Sequence, residues 1–190
     1  PEFFVPRMIE SVELNKLGRE TKTRVFPVKE EGNTVALYLA LKTVHAGGVA
    51  IFCGKKATAS SICENAADIY AHGFGMPSPA TMSDPAELAR LCHQHEANLG
   101  ADAIATRSAG LGIFAHHGNI PHGIRLTVEH AMKEDLIRFV VCTSTLAQGV
   151  NLPIRYLIVT SIYQGTERIK VRDFHNLMGR AGRSGMHIEG

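Results

Sequence analysis

The sequence predicts an α/β fold, a mostly parallel β-sheet with helices on both faces. Three observations predict it. Short apolar runs such as Val49 to Cys53 and Phe139 to Cys142 have the length of buried strands and no polar alternation, as expected where both faces of a parallel strand are covered. Between them lie longer segments whose apolar residues recur three and four apart, the spacing of amphipathic helices. The two kinds of segment alternate along the chain, which favours strand–helix–strand units.

Taken in order, residues 10–28 read as two short polar strands around Leu17-Gly18, and Thr34 to His45 as a helix stopped by Gly47-Gly48. The hairpin carries Lys16, Arg19, Lys22 and Arg24 offset by Glu13 and Glu20, so a solvated edge hairpin is expected. Val49 to Cys53 is the first buried strand, Ala57 to Ala71 a helix, Gly73 to Ser83 a Gly- and Pro-rich loop, and Asp84 to Leu99 a helix capped by Ser83. Leu111 to Ala115 is strand-like. Pro121 to Glu134 is a helix with proline in its first turn, and Phe139 to Cys142 and Ile154 to Ser161 are strands. In a sheet of this kind, chemistry belongs at the carboxyl ends of the strands.

The chain has 190 residues, enough for one large domain or two small ones at roughly 150 residues each. With 45% apolar and 20% charged residues and a mean hydropathy of zero it has ordinary globular composition. No apolar run approaches the roughly 18 residues of a membrane span. The opening Pro1-Glu2-Phe3-Phe4 has no basic leader, so no signal peptide is expected, and an initial proline suggests a cut boundary. The cysteines, Cys53, Cys63, Cys92 and Cys142, lie ten or more apart. That spacing favours buried thiols in a reducing cytoplasm over a zinc site or a disulfide framework. His93 and His95 would diverge on a helix, so they form no chelating pair and, with His116 and His117, read as exposed or loop histidines. No metal site is expected.

The net charge of +2 hides an uneven distribution. Its excess lies toward the C-terminus, where Arg155, Arg168, Lys170, Arg172, Arg180 and Arg183 face only Glu167 and Asp173, and a polyanion site is sought there. On a helix over 173–183, Phe174, Leu177, Met178 and Ala181 share an apolar face while Asp173, Asn176, Arg180 and Arg183 share a polar one. Gly179 and Gly182 would each cost that helix about 1 kcal/mol relative to alanine, which a site needing close approach to a charged ligand explains and a solvated basic helix does not. Upstream, the strand ending at Cys142 runs into Thr143, Ser144 and Thr145, followed by Gly149-Val150-Asn151-Leu152-Pro153. Hydroxyls and free N–H groups at a strand-to-helix junction form an anion site.

These residues resemble a family. Thr143 to Pro153 is similar to motif V, and Asn176 to Arg183 to motif VI, of superfamily 2 helicases, most like the superkiller-type branch. Val49 to Lys56 resembles motif IV. Ile113 to Gly118, followed by Arg125, Val128 and Glu129, resembles the motif IVa region. The resemblance implies a RecA-like, P-loop NTPase-type three-layer sandwich at 33–190, the second of two motor domains, preceded by a linker or hairpin extension at 1–32. It implies that Arg180 and Arg183 act as arginine fingers on ATP and Mg²⁺ held mainly by the first RecA-like domain, with Gly149, Asn151, Asn176 and Gly179 on the nucleotide side. Thr143, Thr145, His116, His117 and Gly118 would contact the backbone of a DNA or RNA strand. Asn176 stands where the family usually has glutamine, one methylene longer. Gly54 and Lys55 stand where motif IV usually offers a hydroxyl, so no contact is carried over there.

Two absences complete the reading. Gly48 to Lys56 has the wrong spacing for G-x-x-x-x-G-K-[ST], and no Asp-Glu pair of the Walker B kind exists; Glu134-Asp135 reads as a solvated helix end. The chain is therefore expected to be an ATP hydrolase only as part of a larger helicase and inactive alone. The rival from another class is a nucleic-acid-binding scaffold with a RecA-like fold and no motor. A dinucleotide-binding enzyme lacks the required Gly-x-Gly-x-x-Gly.

Overall fold

The computed structural model describes residues 9–146, 152–164, 167–169 and 171–179. Strands β1 (Val12–Leu14) and β2 (Arg24–Phe26) form an antiparallel hairpin. Helix α1 (Gly32–Thr43) and a 3-10 turn (Val44–Ala46) lead to β3 (Gly48–Phe52) and α2 (Lys56–Ala71). A second 3-10 turn (Pro79–Met82) precedes α3 (Pro85–Leu99) and α4 (Ile104–Gly110). Then come β4 (Phe114–His116), α5 (His122–Lys133), β5 (Phe139–Cys142) and β6 (Ile154–Val159). A short hairpin of β7 (Tyr163–Gln164) and β8 (Glu167–Arg168) leads to α6 (Val171–Met178).

The main sheet is parallel, in the order β4-β5-β3-β6. Every residue of β3, β4 and β5 is buried, which requires helices over both faces. The chain steps from β3 past β5 to β4, the edge strand, where it reverses, returns to β5, then crosses β3 to reach β6. Register lines up the carboxyl ends of the strands: His116 pairs with Cys142, and Cys142 and Val159 each pair with Phe52. The residues that follow these strands therefore emerge along one edge.

Several sequence expectations are corrected. The cap of α3 is Asp84, whose carboxylate accepts from the Glu87 N–H at 2.8 Å, while Ser83 instead donates to Pro79 O. Asp84 has the reach because it immediately precedes the Pro85 that opens the helix. The expected Gly/Pro loop holds a 3-10 turn, and α4 and the β7–β8 hairpin were not anticipated. Cys53, Cys63 and Cys142 are buried, as expected, whereas Cys92 is half-buried; burial pushes the Cys53 thiol up to about 11 and that of Cys63 to about 12.

The N-terminal hairpin is not an edge of the main sheet. Leu14 and Phe26 belong to the hydrophobic core, with the Phe26 ring edge-on to Phe74 at 5.0 Å. Outside that contact, polar groups clasp the hairpin to the end of α2. His72, buried, donates through Nδ1 to Asp68 O at 2.7 Å and through Nε2 to the Glu20 carboxylate at 3.2 Å. Arg24 pairs with both Glu20 and Asp68. The bond to Asp68 O and then Glu20 raises the His72 pKa above its ordinary 6.5, and the Leu17 N–H followed by His72 lowers that of Glu20 below 4.5. A raised histidine stabilises the fold below its unfolded value and loses that as pH rises through the folded one; a lowered glutamate is lost as pH falls. The clasp is thus strongest between about pH 4.5 and 6.5 and weakens toward alkaline pH. Amide-exchange protection at Arg24 to Phe26, normalised for intrinsic rate, should fall from pH 6 to 9, and His72→Gln should flatten that dependence.

Candidate nucleic-acid interface

The edge where β3, β4 and β5 end collects most of the motif residues expected to meet a strand. Thr143 follows β5 and is held by its N–H to His116 O at 3.2 Å. His117, Gly118 and Asn119 follow β4, and Lys55 and Lys56 follow β3 at the start of α2. Lys56 Nζ donates to Asn119 Oδ1 at 3.2 Å, closing the gap between the two loops. A Cβ on Gly118 would meet that ammonium group at 3.0 Å, so glycine there lets the lysine lie against the loop. Helix α2 has Lys55 at its N-cap, with no side-chain cap. Its first-turn N–H groups therefore lie uncapped next to two lysines, an arrangement that favours anions.

The exposed parts of this edge are Lys55, Lys56, Gly118 and Asn119. The histidines are not. His117 is 3% exposed, accepts at Nδ1 from the Asn119 N–H (3.3 Å) and donates from Nε2 to Ser60 Oγ (3.3 Å). Burial lowers its pKa, and Lys56, His116 and Arg125 lower it further, so the ring is neutral and braces the loop. His116 is fully buried: its Nε2 donates to Glu129 Oε1 at 2.7 Å and its Nδ1 lies 3.1 Å from Thr145 Oγ1. Burial is the leading cause of its lowered pKa, with Glu129 opposing and Arg125 reinforcing. Of the expected exposed or loop histidines, His117 lies in the loop after β4, as expected, whereas His116 closes the strand, and both rings are buried. A residue closing a buried strand points its ring into the protein. His95 is likewise buried, donating to Leu91 O at 2.7 Å beside the Phe114 ring.

Thr145 is also turned inward. Its hydroxyl has two acceptors close by, His116 Nδ1 and His116 O at 3.2 Å. Thr143 touches it only at the hydrogen-bond limit of 3.5 Å; Thr143 is buried, at 6% exposed, whereas Thr145 is half-buried. Lys56, Ser60, Asn119 and the partnership of Glu129 with His116 escaped the sequence reading. The signal for Lys56 was available: a strand followed by Gly-Lys-Lys and a helix lacks any Ser, Thr, Asp or Asn at the cap.

Arg180, Arg183, Gly149 and Asn151 lie outside the described residues. Asn176 is exposed on α6, and Gly179 follows its last turn, donating to His175 O at 2.8 Å. Met178, expected on the apolar face of this helix, is 46% exposed. The glycines that bracket β3 build no P-loop. A Cβ on Gly48 would sit 2.5 Å from Pro153 O, and one on Gly54 would collide with Tyr163 O, so both glycines serve the close approach of neighbouring backbone. The residues at this turn do not fit the triphosphate and Mg²⁺ of a P-loop.

Among the described residues no helix is long and apolar enough to cross a membrane. The chain is 26% identical over 189 residues to Hachiman protein HamB of Bacillus cereus, covering 99% of this chain and 16% of that protein. It is 29% identical over 157 residues to ATP-dependent DNA helicase Hel308 of Caldivirga maquilingensis, covering 78% and 20%. The chain thus spans a fifth or less of the length of these relatives. The crystal structure of DUF1998 helicase MrfA bound to DNA and AMPPNP superposes with a TM-score of 0.52 at 18% identity, over 88% of this chain and 19% of that one, a likeness that shows the RecA-like fold. Residues 88–185, half of the chain and the part that carries the β4 and β5 edge, match the helicase conserved C-terminal domain, and to that family this chain belongs.

Proposed function

We infer that the chain is the second motor domain of an ATP-dependent helicase or translocase, gripping a nucleic-acid backbone at the edge formed by Lys56, Gly118, Asn119 and Thr143. The observation that carries this reading is the convergence of an uncapped helix start, two exposed lysines and the exposed Gly118-Asn119 loop, beside the buried Thr143, where three parallel strands end. Phosphates are bound by such groups without regard to sequence. The related Hel308 carries ATP-dependent DNA helicase in its name, which supports the motor. Arg180 and Arg183, with Gly149, Asn151, Asn176 and Gly179 nearby in the motifs, would face ATP and Mg²⁺ held by the first RecA-like domain. A guanidinium fork suits the charge that spreads over a transferring phosphoryl group. Residues 1–32 would link the two domains, the chain alone would turn over no ATP, and the protein would work in the cytoplasm.

Lys56→Ala tests the grip. In the polypeptide carrying both motor domains, it should weaken binding of a labelled (dT)₂₀ strand uniformly across sequences and reduce the salt dependence by about one counterion. Unchanged affinity and salt slope would overturn this edge as the strand site.

A further inference from the structure

Two bridges tie helix α2 to the loop after β4. Lys56 and Ser60 stand one turn apart on the same face of α2. Lys56 Nζ donates to Asn119 Oδ1 at 3.2 Å, and Ser60 Oγ lies 3.3 Å from His117 Nε2. Within the loop, the Ile120 N–H donates to His117 O at 2.9 Å and the Asn119 N–H to His117 Nδ1 at 3.3 Å. The backbone bond closes the turn whatever the ring does, but it does not reach α2. The ring reaches both sides, as an acceptor for the loop at Nδ1 and a donor to the helix at Nε2. Its tautomer follows from chemistry: the Asn119 N–H can only donate, so Nδ1 is bare and the proton sits on Nε2. Of the three N–H groups after His117, those of Asn119 and Ile120 are tied back to it, and that of Gly118 makes no hydrogen bond among the described residues. Gly118 also lies against the Lys56 ammonium group, which a Cβ there would meet at 3.0 Å.

We propose that His117 is a positioning residue of the strand site: its ring pins the turn 117–120 to Ser60 of α2, so that the unbonded Gly118 N–H and the Lys56 ammonium group meet one phosphate together. The ring does this without touching the strand, since it is 3% exposed. It works in one protonation state. A second proton would have to sit on Nδ1, facing the Asn119 N–H, donor against donor. It would also place a cation beside Lys56 of α2 and Arg125 of α5, with His116 next in the chain, while Glu129 of α5 is engaged by His116 at 2.7 Å. Burial first, then those charges, lower the His117 pKa and keep the ring neutral near pH 7. As pH falls toward that lowered value the ring gains its proton, the pin opens and the grip weakens. A histidine that met phosphate directly would show the opposite sign and grip more tightly when protonated. This inference rests on the strand site proposed above.

The test uses the polypeptide with both motor domains, a fluorescein-labelled (dT)₂₀ probe and strand-stimulated ATP turnover. H117A should raise the Kd for (dT)₂₀ and the strand concentration for half-maximal stimulation about tenfold, a change of roughly 1.4 kcal/mol, with maximal turnover at saturating strand within about twofold of wild type. S60A, which removes only the acceptor on the helix, should raise both about threefold, roughly 0.7 kcal/mol, and adding it to H117A should cost nothing more. H117N should recover to the level of S60A, because its carboxamide oxygen accepts the N–H two residues on, as in an Asx turn, but does not reach the helix. On acidification from about pH 7.5 to about pH 5 the wild-type Kd should rise relative to that of H117N, which has no imidazole to titrate. A well-folded H117A with wild-type Kd, an additive effect of S60A, or a wild-type Kd that stays level or falls relative to H117N overturns the proposal. Should H117A fail to fold, S60A and H117N decide: weakened binding by both upholds the proposal and wild-type binding by either overturns it. If Lys56→Ala weakens binding while S60A and H117N do not, the positioning role fails and the strand site stands. If Lys56→Ala has no effect, the strand site itself fails.

Discussion

Replacing Arg183 by alanine in the polypeptide that carries both motor domains is expected to lower nucleic-acid-stimulated ATP turnover by roughly 10³-fold or more, the range in which a trans-acting arginine contributes to phosphoryl transfer. Binding of a (dT)₂₀ strand without nucleotide should stay near wild type, because the lysines and hydroxyl of the strand edge come from β3, β5 and α2 and from none of the motif VI residues. Arg180→Ala should behave alike. Lysine at either position should rescue little, since a point charge does not reproduce a planar fork of donors. Steady-state ATPase at saturating strand checks this. Turnover unchanged by both substitutions would remove the finger assignment and favour a scaffold that uses the fold without the motor.

The second large effect is on stability. Phe114→Ala should destabilise the fold by about 3–5 kcal/mol in urea unfolding. Phe114 is fully buried at the start of β4, packs against the His95 ring at 5.7 Å, and stands in register with Val140 of β5. Marginal domains have only about 5–15 kcal/mol in total, so the variant should be partly unfolded at physiological temperature. The loss should also reach the strand edge, because β4 is three residues long and ends on His116. Leu126→Ala, at an exposed position on α5, serves as the control and should change stability by less than about 0.5 kcal/mol. A small effect at Phe114 would mean that β4 is not part of the cooperative core.

Central strands and long helices were legible in the sequence for a simple reason. β3 and β5 are uninterrupted apolar runs, and α2, α3 and α5 carry periodic apolar positions, so local pattern and tertiary burial agree. α4 was not legible. Its residues Ile104–Gly110 are mostly small, and packing against α2 and α3, more than any periodicity, specifies the helix. The hairpin of β7 and β8 has two residues per strand, too few for alternation to register. Motifs V and VI were legible as a resemblance because glycine, hydroxyl and arginine at fixed offsets are rare together.

By itself the sequence determined the α/β class, the helices and central strands, and which segments carry charge and hydroxyls toward the C-terminus. It did so because propensity, periodicity and capping act over a few residues. Only the tertiary structure decided the strand order β4-β5-β3-β6, the meeting of Lys56 with Asn119 across two loops, and the inward turn of His116 and Thr145. Those depend on contacts from 13 to more than 100 residues apart, between groups whose burial no local pattern encodes. His116 and His117 stand side by side in the sequence as two like side chains. Helix α5 above one and the α2 start beside the other gave them a carboxylate and a serine as partners.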